Sequence, residues 1–246
     1  MRLLELLWRH ELPARRAQRG PKQTVTVDDV VSAAIALADR DGYARVSVRA
    51  VAAELGLRPM SLYTYVPSKH ALTVLMVDAV ATADTDIPTD LAPRARLAAI
   101  ARQTRDELVA HPWLLEVPQW RMVLGPGRLR RYERQIAAVQ GLGFSDLEMD
   151  RVVATLGQFA SGNARTVLAA AHSTRELSDA DWWEIYGPLL TQVMPADEFP
   201  LSARVGAAVG QLYRAPGDPA GEFDYGLDRL IDGILPESAA AGPTSD

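Results

Sequence analysis

The residues best suited to chemistry lie between Ser47 and Lys69, in the stretch SVRAVAAELGLRPMSLYTYVPSK. Arg58, Ser61, Thr64 and Tyr65 fall on one side of a short helical period, and Leu62 and Val66 fall on the other. Hydroxyls can bond to base edges or phosphates, and a guanidinium can fork onto guanine. A methionine or a threonine methyl can meet the thymine methyl. That chemistry reads duplex DNA if the polar side reaches the major groove. A solvent-facing helix hairpin would carry the same polar side, since helix pairs joined by a glycine turn are common.

The elements that must hold these side chains are legible around them. Val48, Val51, Ala52 and Leu55 recur at i, i+3, i+4 and i+7, one apolar helix face. Ser47 precedes that face as an N-cap, and Gly56 follows it where positive φ is needed. Pro59 suits the first position of a second helix, where its missing N–H costs nothing. Upstream, Thr26 and Asp29 form a capping-box pattern. It opens a helix over about Val27 to Asp41 whose expected buried stripe is Val27, Val30, Val31, Ala34, Leu37 and Ala38, and which stops at Gly42. Ser68 caps a further helix, about Lys69 to Ala83, whose inner face is Leu72, Leu75, Met76 and Ala79.

Before these helices, Leu3, Leu4, Leu6, Leu7 and Trp8 can form a short amphipathic turn or a frayed end. Arg15, Arg16, Arg19 and Lys22 can form a basic arm along the DNA or a solvated charge run. The predicted divisions are an arm over 1–23, a helix–turn–helix domain over 24–84, a body over 85–235 and a disordered tail over 236–246.

The body is predicted to be all helical. Its helices fall at about 90–110, 112–118, 126–141, 145–175, 179–194, 202–214 and 221–234, punctuated by Pro and Gly. No alternating run is long enough for a strand.

Net charge is −5, which is odd for a nucleic-acid binder until it is divided. Residues 1–70 hold 11 Lys+Arg against 7 Asp+Glu, and the remainder holds 15 against 24. Only the part that meets phosphates needs to be basic, because counterion release is local. The sequence has no cysteine, which excludes a disulfide framework and a thiolate zinc site and suits a cytoplasmic location. No apolar run reaches the roughly 20 residues of a membrane span. The opening MRLLELLW is a poor secretion signal, broken by Glu5.

Enzymatic patterns are lacking. The four histidines make no HExxH, and there is no GxSxG, no dinucleotide fingerprint and no phosphate loop. The reading is therefore no catalytic residue, no metal and no cofactor. Large side chains and a few polar groups do gather in the body, as an apolar effector pocket requires. The candidates are Trp113, Trp120, Gln158, Phe159, Asn163, Thr166 and Trp183. Each of them could equally belong to the core.

The block VDDVVSAAIALADRDGYARVSVRAVAAELGLRPMSLYTYVPSKHAL resembles the N-terminal domain of the TetR/AcrR family of regulators. Its most specific parts are Leu55-Gly56-Leu57, Ser61-Leu62-Tyr63, Tyr65-Val66 and Ser68-Lys69. More loosely, His111-Pro112-Trp113-Leu114 and Phe223-Asp224-Tyr225-Gly226-Leu227-Asp228-Arg229-Leu230 resemble the branch whose C-terminal domain is like the tetracycline repressor's.

The resemblance implies an all-α homodimer that represses from a palindromic operator and is released by a small apolar molecule. It implies that Arg49 meets phosphate or a base at the groove edge. Arg58, Pro59, Met60, Ser61, Thr64 and Tyr65 would face bases, and Tyr63 and Lys69 would hold phosphates. It places the dimer interface on the helices at about 145–175 and 221–234. Where the tetracycline repressor carries a glutamine, a tryptophan and a histidine, this chain has Pro59, Thr64 and Tyr65, so the operator sequence does not transfer. An activator, or a helical carrier or enzyme without a DNA role, stays open at this level.

Overall fold

The computed structural model describes residues 2–13, 25–83, 85–118, 123–173, 177–195 and 197–235. The basic arm at Arg15–Lys22, the pocket candidate Trp120 and the tail 236–246 lie outside the described residues. The described residues form helices α1 (Arg2–Leu7), α2 (Val27–Asp41), α3 (Val48–Glu54), α4 (Pro59–Tyr65) and α5 (Lys69–Val80). The chain continues through α6 (Pro93–Ala110), α7 (Pro126–Val139), α8 (Asp146–Ser173), α9 (Asp179–Val193), α10 (Pro200–Tyr213) and α11 (Pro219–Ile234). Short 3-10 turns sit at Tyr43–Arg45, Ala81–Ala83 and Pro112–Leu115. The helix expected at about 112–118 is that last single turn. Pro112 starts it, and it gives way to irregular chain at Glu116.

Helix starts follow the capping chemistry. Thr26 Oγ1 accepts from the Asp29 N–H at 3.1 Å, and the Asp29 carboxylate accepts from the Thr26 N–H at 2.8 Å. Ser145 and Glu148 make the second half of the same arrangement ahead of α8, the carboxylate accepting from the Ser145 hydroxyl and N–H. Both carboxyls are held below their ordinary values. For Asp29 the main cause is the Thr26 backbone N–H, and for Glu148 the Ser145 hydroxyl and then its N–H. A carboxyl depressed by folding stabilises above its unfolded pKa and loses that contribution as pH falls through the folded value. Stability is therefore expected to fall on acidification below about pH 4, and Asp29→Asn and Glu148→Gln should flatten that fall in urea titrations at pH 3–6.

Two cores form. The first joins α2–α5 around Val30, Ala34, Leu37, Val51, Leu62, Leu72 and Met76, and it continues into the body through Leu108, Trp113 and Leu114. The second packs α6, α7, α8 and α11 around Leu97, Ile100, Val139, Leu156, Phe223, Leu227 and Ile231. The apolar face of α11 is thus largely committed to its own chain's core.

Helix α1 is docked, not frayed. Leu7 is buried in the first core, and the Trp8 indole donates to the Leu124 carbonyl at 2.9 Å. Helix α5 is buried on more sides than its predicted stripe. Thr73, Val77, Asp78 and Val80 are buried as well, because α2 covers one side and α7 the other. By contrast α9 buries no residue, and its Trp183 sits against Gly210 of α10.

Candidate nucleic-acid interface and effector cavity

Helices α3 and α4 build the first site. Ser47 Oγ accepts from the Ala50 N–H at 3.1 Å and opens α3. At its other end the Leu57 N–H reaches the Ala52 carbonyl at 2.8 Å, and the Gly56 N–H reaches Ala53 at 3.1 Å. This closure needs Gly56 at φ 64°, which costs glycine little. Two residues later Pro59 starts α4. Leu62 and Val66 are buried, so the opposite side of α4 must face out.

Arg49, Arg58, Pro59, Met60, Tyr63, Thr64 and Lys69 are exposed, and Met60 is 76% exposed, an unusual state for methionine unless something covers it. Ser61 and Tyr65 are half-buried. The Tyr65 ring packs on the first core, so it braces α4 as well as presenting an edge. Lys69 Nζ lies 4.7 Å from the Tyr43 ring centroid, which holds its charge beside the N-terminus of α5. The Thr64 hydroxyl donates to the Ser61 carbonyl at 2.7 Å, leaving its methyl and lone pairs outward.

One residue at this site escaped sequence reasoning. Arg2 Nη2 donates to the Thr64 carbonyl at 3.3 Å, which puts a guanidinium at the end of α4. Only the fold-back of α1 brings it there.

The second site is a cavity of about 760 Å³ among α6, α7, α8 and the 111–117 segment, within the size range of small-molecule pockets. Leu108, Leu114, Leu115, Val117 and Val153 supply apolar wall. Thr104, Glu107, Arg128, Arg131, Gln135 and Arg165 supply polar wall. The Glu107 side chain is 7% exposed, and its Oε2 pairs with Arg131 and lies 3.6 Å from Arg128 Nη1.

Of the pocket candidates taken from the sequence, Gln158 lines this cavity. The other described ones are placed elsewhere. Trp113 is core, its indole donating to Asp39 Oδ1 at 2.8 Å. Phe159 stacks on Phe223 with centroids 5.3 Å apart, beside Gly226. Asn163 donates to the Pro219 carbonyl at 2.7 Å and ties α8 to α11. Thr166 is exposed, and Trp183 sits against Gly210. The aromatic side chains were claimed by packing, where their area is worth most. The arginines of α7 went unnoticed because a charged run reads as a solvated face. The signal available was their spacing, with Arg128 and Arg131 three residues apart on one side of the helix.

A recognition helix with an open polar side, set on a helical body with a cavity, defines a helix–turn–helix regulator with a separate effector domain. Residues 30–74 match the family described as bacterial regulatory proteins, tetR family, and residues 89–237 match the tetracyclin repressor-like C-terminal domain. The chain belongs to the TetR family of DNA-binding transcriptional regulators. It is 37% identical over 238 residues to the HTH-type transcriptional repressor DrrR1 of Streptomyces coeruleorubidus, covering 95% of this chain and 84% of that one. An HTH-type transcriptional regulator of Saccharopolyspora erythraea is 28% identical over 227 residues, 92% of this chain and 89% of that one. Among solved structures, Streptomyces coelicolor ActR in complex with (S)-DNPA has the same fold, with a TM-score of 0.68 and 24% identity, covering 89% of this chain and all of that one. No helix among the described residues is long and apolar enough to cross a membrane.

Proposed function

We propose that this chain is a cytoplasmic homodimeric repressor that holds a palindromic operator through α4 and lets go when a small molecule fills the cavity. The observation that carries the DNA half is the outward side of α4, where Arg58, Met60 and Thr64 are exposed while Leu62 and Val66 anchor the helix from behind. Arg49, Tyr63 and Lys69 flank it as phosphate contacts; Pro59, Ser61 and Tyr65 shape its edge. The relative's name, repressor, supports the sign of regulation. The ActR complex, a protein of this fold with a small molecule bound, supports the effector half. The exposed apolar side chains of α9 and α10, among them Ile185, Leu189, Val193 and Leu212, support pairing with a second copy.

Two contacts support the route of release. Asp39 on α2 accepts from Trp113 and meets His111 Nδ1 at 2.9 Å, and the same segment continues into the cavity wall at Leu114 and Leu115. Asp78 on α5 accepts from the Arg128 N–H at 2.9 Å, and the Arg128 side chain reaches the cavity. A ligand that shifts either wall moves α2 or α5, and half-sites spaced about 34–36 Å apart do not tolerate displaced heads. Ligand and operator must then weaken each other by the same factor.

Selection of bound sequences from random duplexes should return a palindrome. Affinity for it should fall steeply between 50 and 200 mM salt, and Lys69→Ala should reduce the slope of log K against log salt by about one per protomer. An affinity that barely responds to salt, or a selection that enriches no sequence, would dismiss the DNA assignment. Lys69 and Arg58 are better probes than Tyr65, whose ring also supports the core.

A further inference from the structure

Helix α1 lies ahead of the matched segment 30–74, yet it is tied down along its length. Leu7 is buried in the first core, and the Trp8 indole donates to the Leu124 carbonyl at 2.9 Å. Arg9 pairs with Asp28 at the start of α2, and Glu11 pairs with Arg130 on α7. At the other end Arg2 Nη2 donates to the Thr64 carbonyl at 3.3 Å. Chain ends are ordinarily loose unless docked. These ties hold the Arg2 guanidinium beside the recognition helix.

The cations of the head divide by partner. Arg9 pairs with Asp28, and Arg40 pairs with Asp41 and Glu54. Arg2, Arg45, Arg49, Arg58 and Lys69 make no ion pair among the described residues. Even Glu5, three residues along α1, does not pair with Arg2. An exposed cation without a carboxylate partner keeps its charge for a phosphate. Arg49, Arg58 and Lys69 already flank the outward side of α4, and Arg2 adds a further exposed cation at its C-terminal end.

The acceptor that Arg2 holds matters as well. Thr64 lies in the last turn of α4, where carbonyls lack intrahelical donors and the helix end carries partial negative charge. That charge repels a phosphate. Arg2 offsets it with a cation, and only one of the five guanidinium N–H donors is needed for the carbonyl.

Resting on the assignment of α4 as the DNA-reading helix, we propose that Arg2 is a backbone contact of the operator. It grips a phosphate beside the C-terminal end of α4. The contact fixes the helix on the duplex and carries no sequence information of its own. Helix α1 thereby extends the footprint of the head beyond α2–α4.

The test uses the full chain and the duplex enriched by selection. Arg2→Gln keeps an amide donor for the Thr64 carbonyl and removes the charge. It should lower the slope of log K against log salt by about one per protomer and leave the enriched sequence unchanged. Arg2→Lys should keep most of the slope. Operator phosphates ethylated one at a time should reveal one phosphate per half-site that matters to the unsubstituted protein and not to Arg2→Gln. That pattern is read on bound complexes, so it holds even where the variant melts earlier.

An unchanged slope and ethylation pattern in Arg2→Gln, with Lys69→Ala still lowering the slope, overturns this contact and leaves α4 as the reading helix. An enriched sequence that changes in Arg2→Gln while the slope holds makes Arg2 a brace of α4, which also overturns it. If affinity of the unsubstituted protein ignores salt, or selection enriches nothing, the DNA assignment itself fails.

Discussion

Trp113→Ala is expected to lower stability by about 3–5 kcal/mol, the usual cost of emptying a large aromatic site from a core. At about 2–4 °C per kcal/mol for a chain of this length, the melting temperature should drop by roughly 10 °C. The ring is 1% exposed and lies in the core shared by α2, α5 and the body. Its loss also strips the indole donor from Asp39, leaving His111 as that carboxylate's partner. Trp113→Phe refills much of the volume but not the donor, so it should cost about 1–3 kcal/mol. The two variants separate packing from hydrogen bonding in one denaturant series. If Trp113 were instead a ligand contact, Trp113→Ala would spare stability and abolish effector binding.

The second large effect is expected at the start of α7. Gly125 and Gly127 lie so close to α5 that a Cβ on either would overlap Asp78, at Gly127 its backbone carbonyl oxygen. A side-chain tip can swing aside, but a helical carbonyl cannot, so Gly127→Val must push α7 off α5. Overpacking of this kind costs about 1–3 kcal/mol, sometimes more. The functional consequence is the sharper readout. With the Asp78 clamp on the Arg128 N–H broken, the proposed route from the cavity to α5 is interrupted. Gly127→Val should therefore be released less completely from its operator by a small molecule that fills the cavity, even at temperatures where it stays folded. Asp78→Asn keeps the shape and weakens only the charge-assisted hydrogen bond, so its effect should be smaller and in the same direction. Full release by that molecule in both variants would remove this contact from the route.

Local sequence carried the reading head almost completely. The caps Thr26, Ser47 and Ser68, the turn at Gly56 and the start at Pro59 act within four residues of the bonds they make. Short-range chemistry of that kind is readable without the fold, as are the helix periods that bury Leu37, Val51 and Leu62. The effector cavity was not readable in the same way. Which aromatic side chains became core and which cations became buried depends on partners far away in the chain. Trp113 meets Asp39 74 residues away, and Asp78 meets Arg128 50 residues away. Arg128 and Arg131 look like solvated charges on a helical period, and only the packing of α6 and α8 over α7 puts Glu107 between them. The sequence thus determined most of the helices, their caps and the side of α4 left outward by the burial of Leu62 and Val66. The tertiary structure decided the charge and shape of the cavity, because a buried ion pair exists only once two distant helices have excluded water from around it.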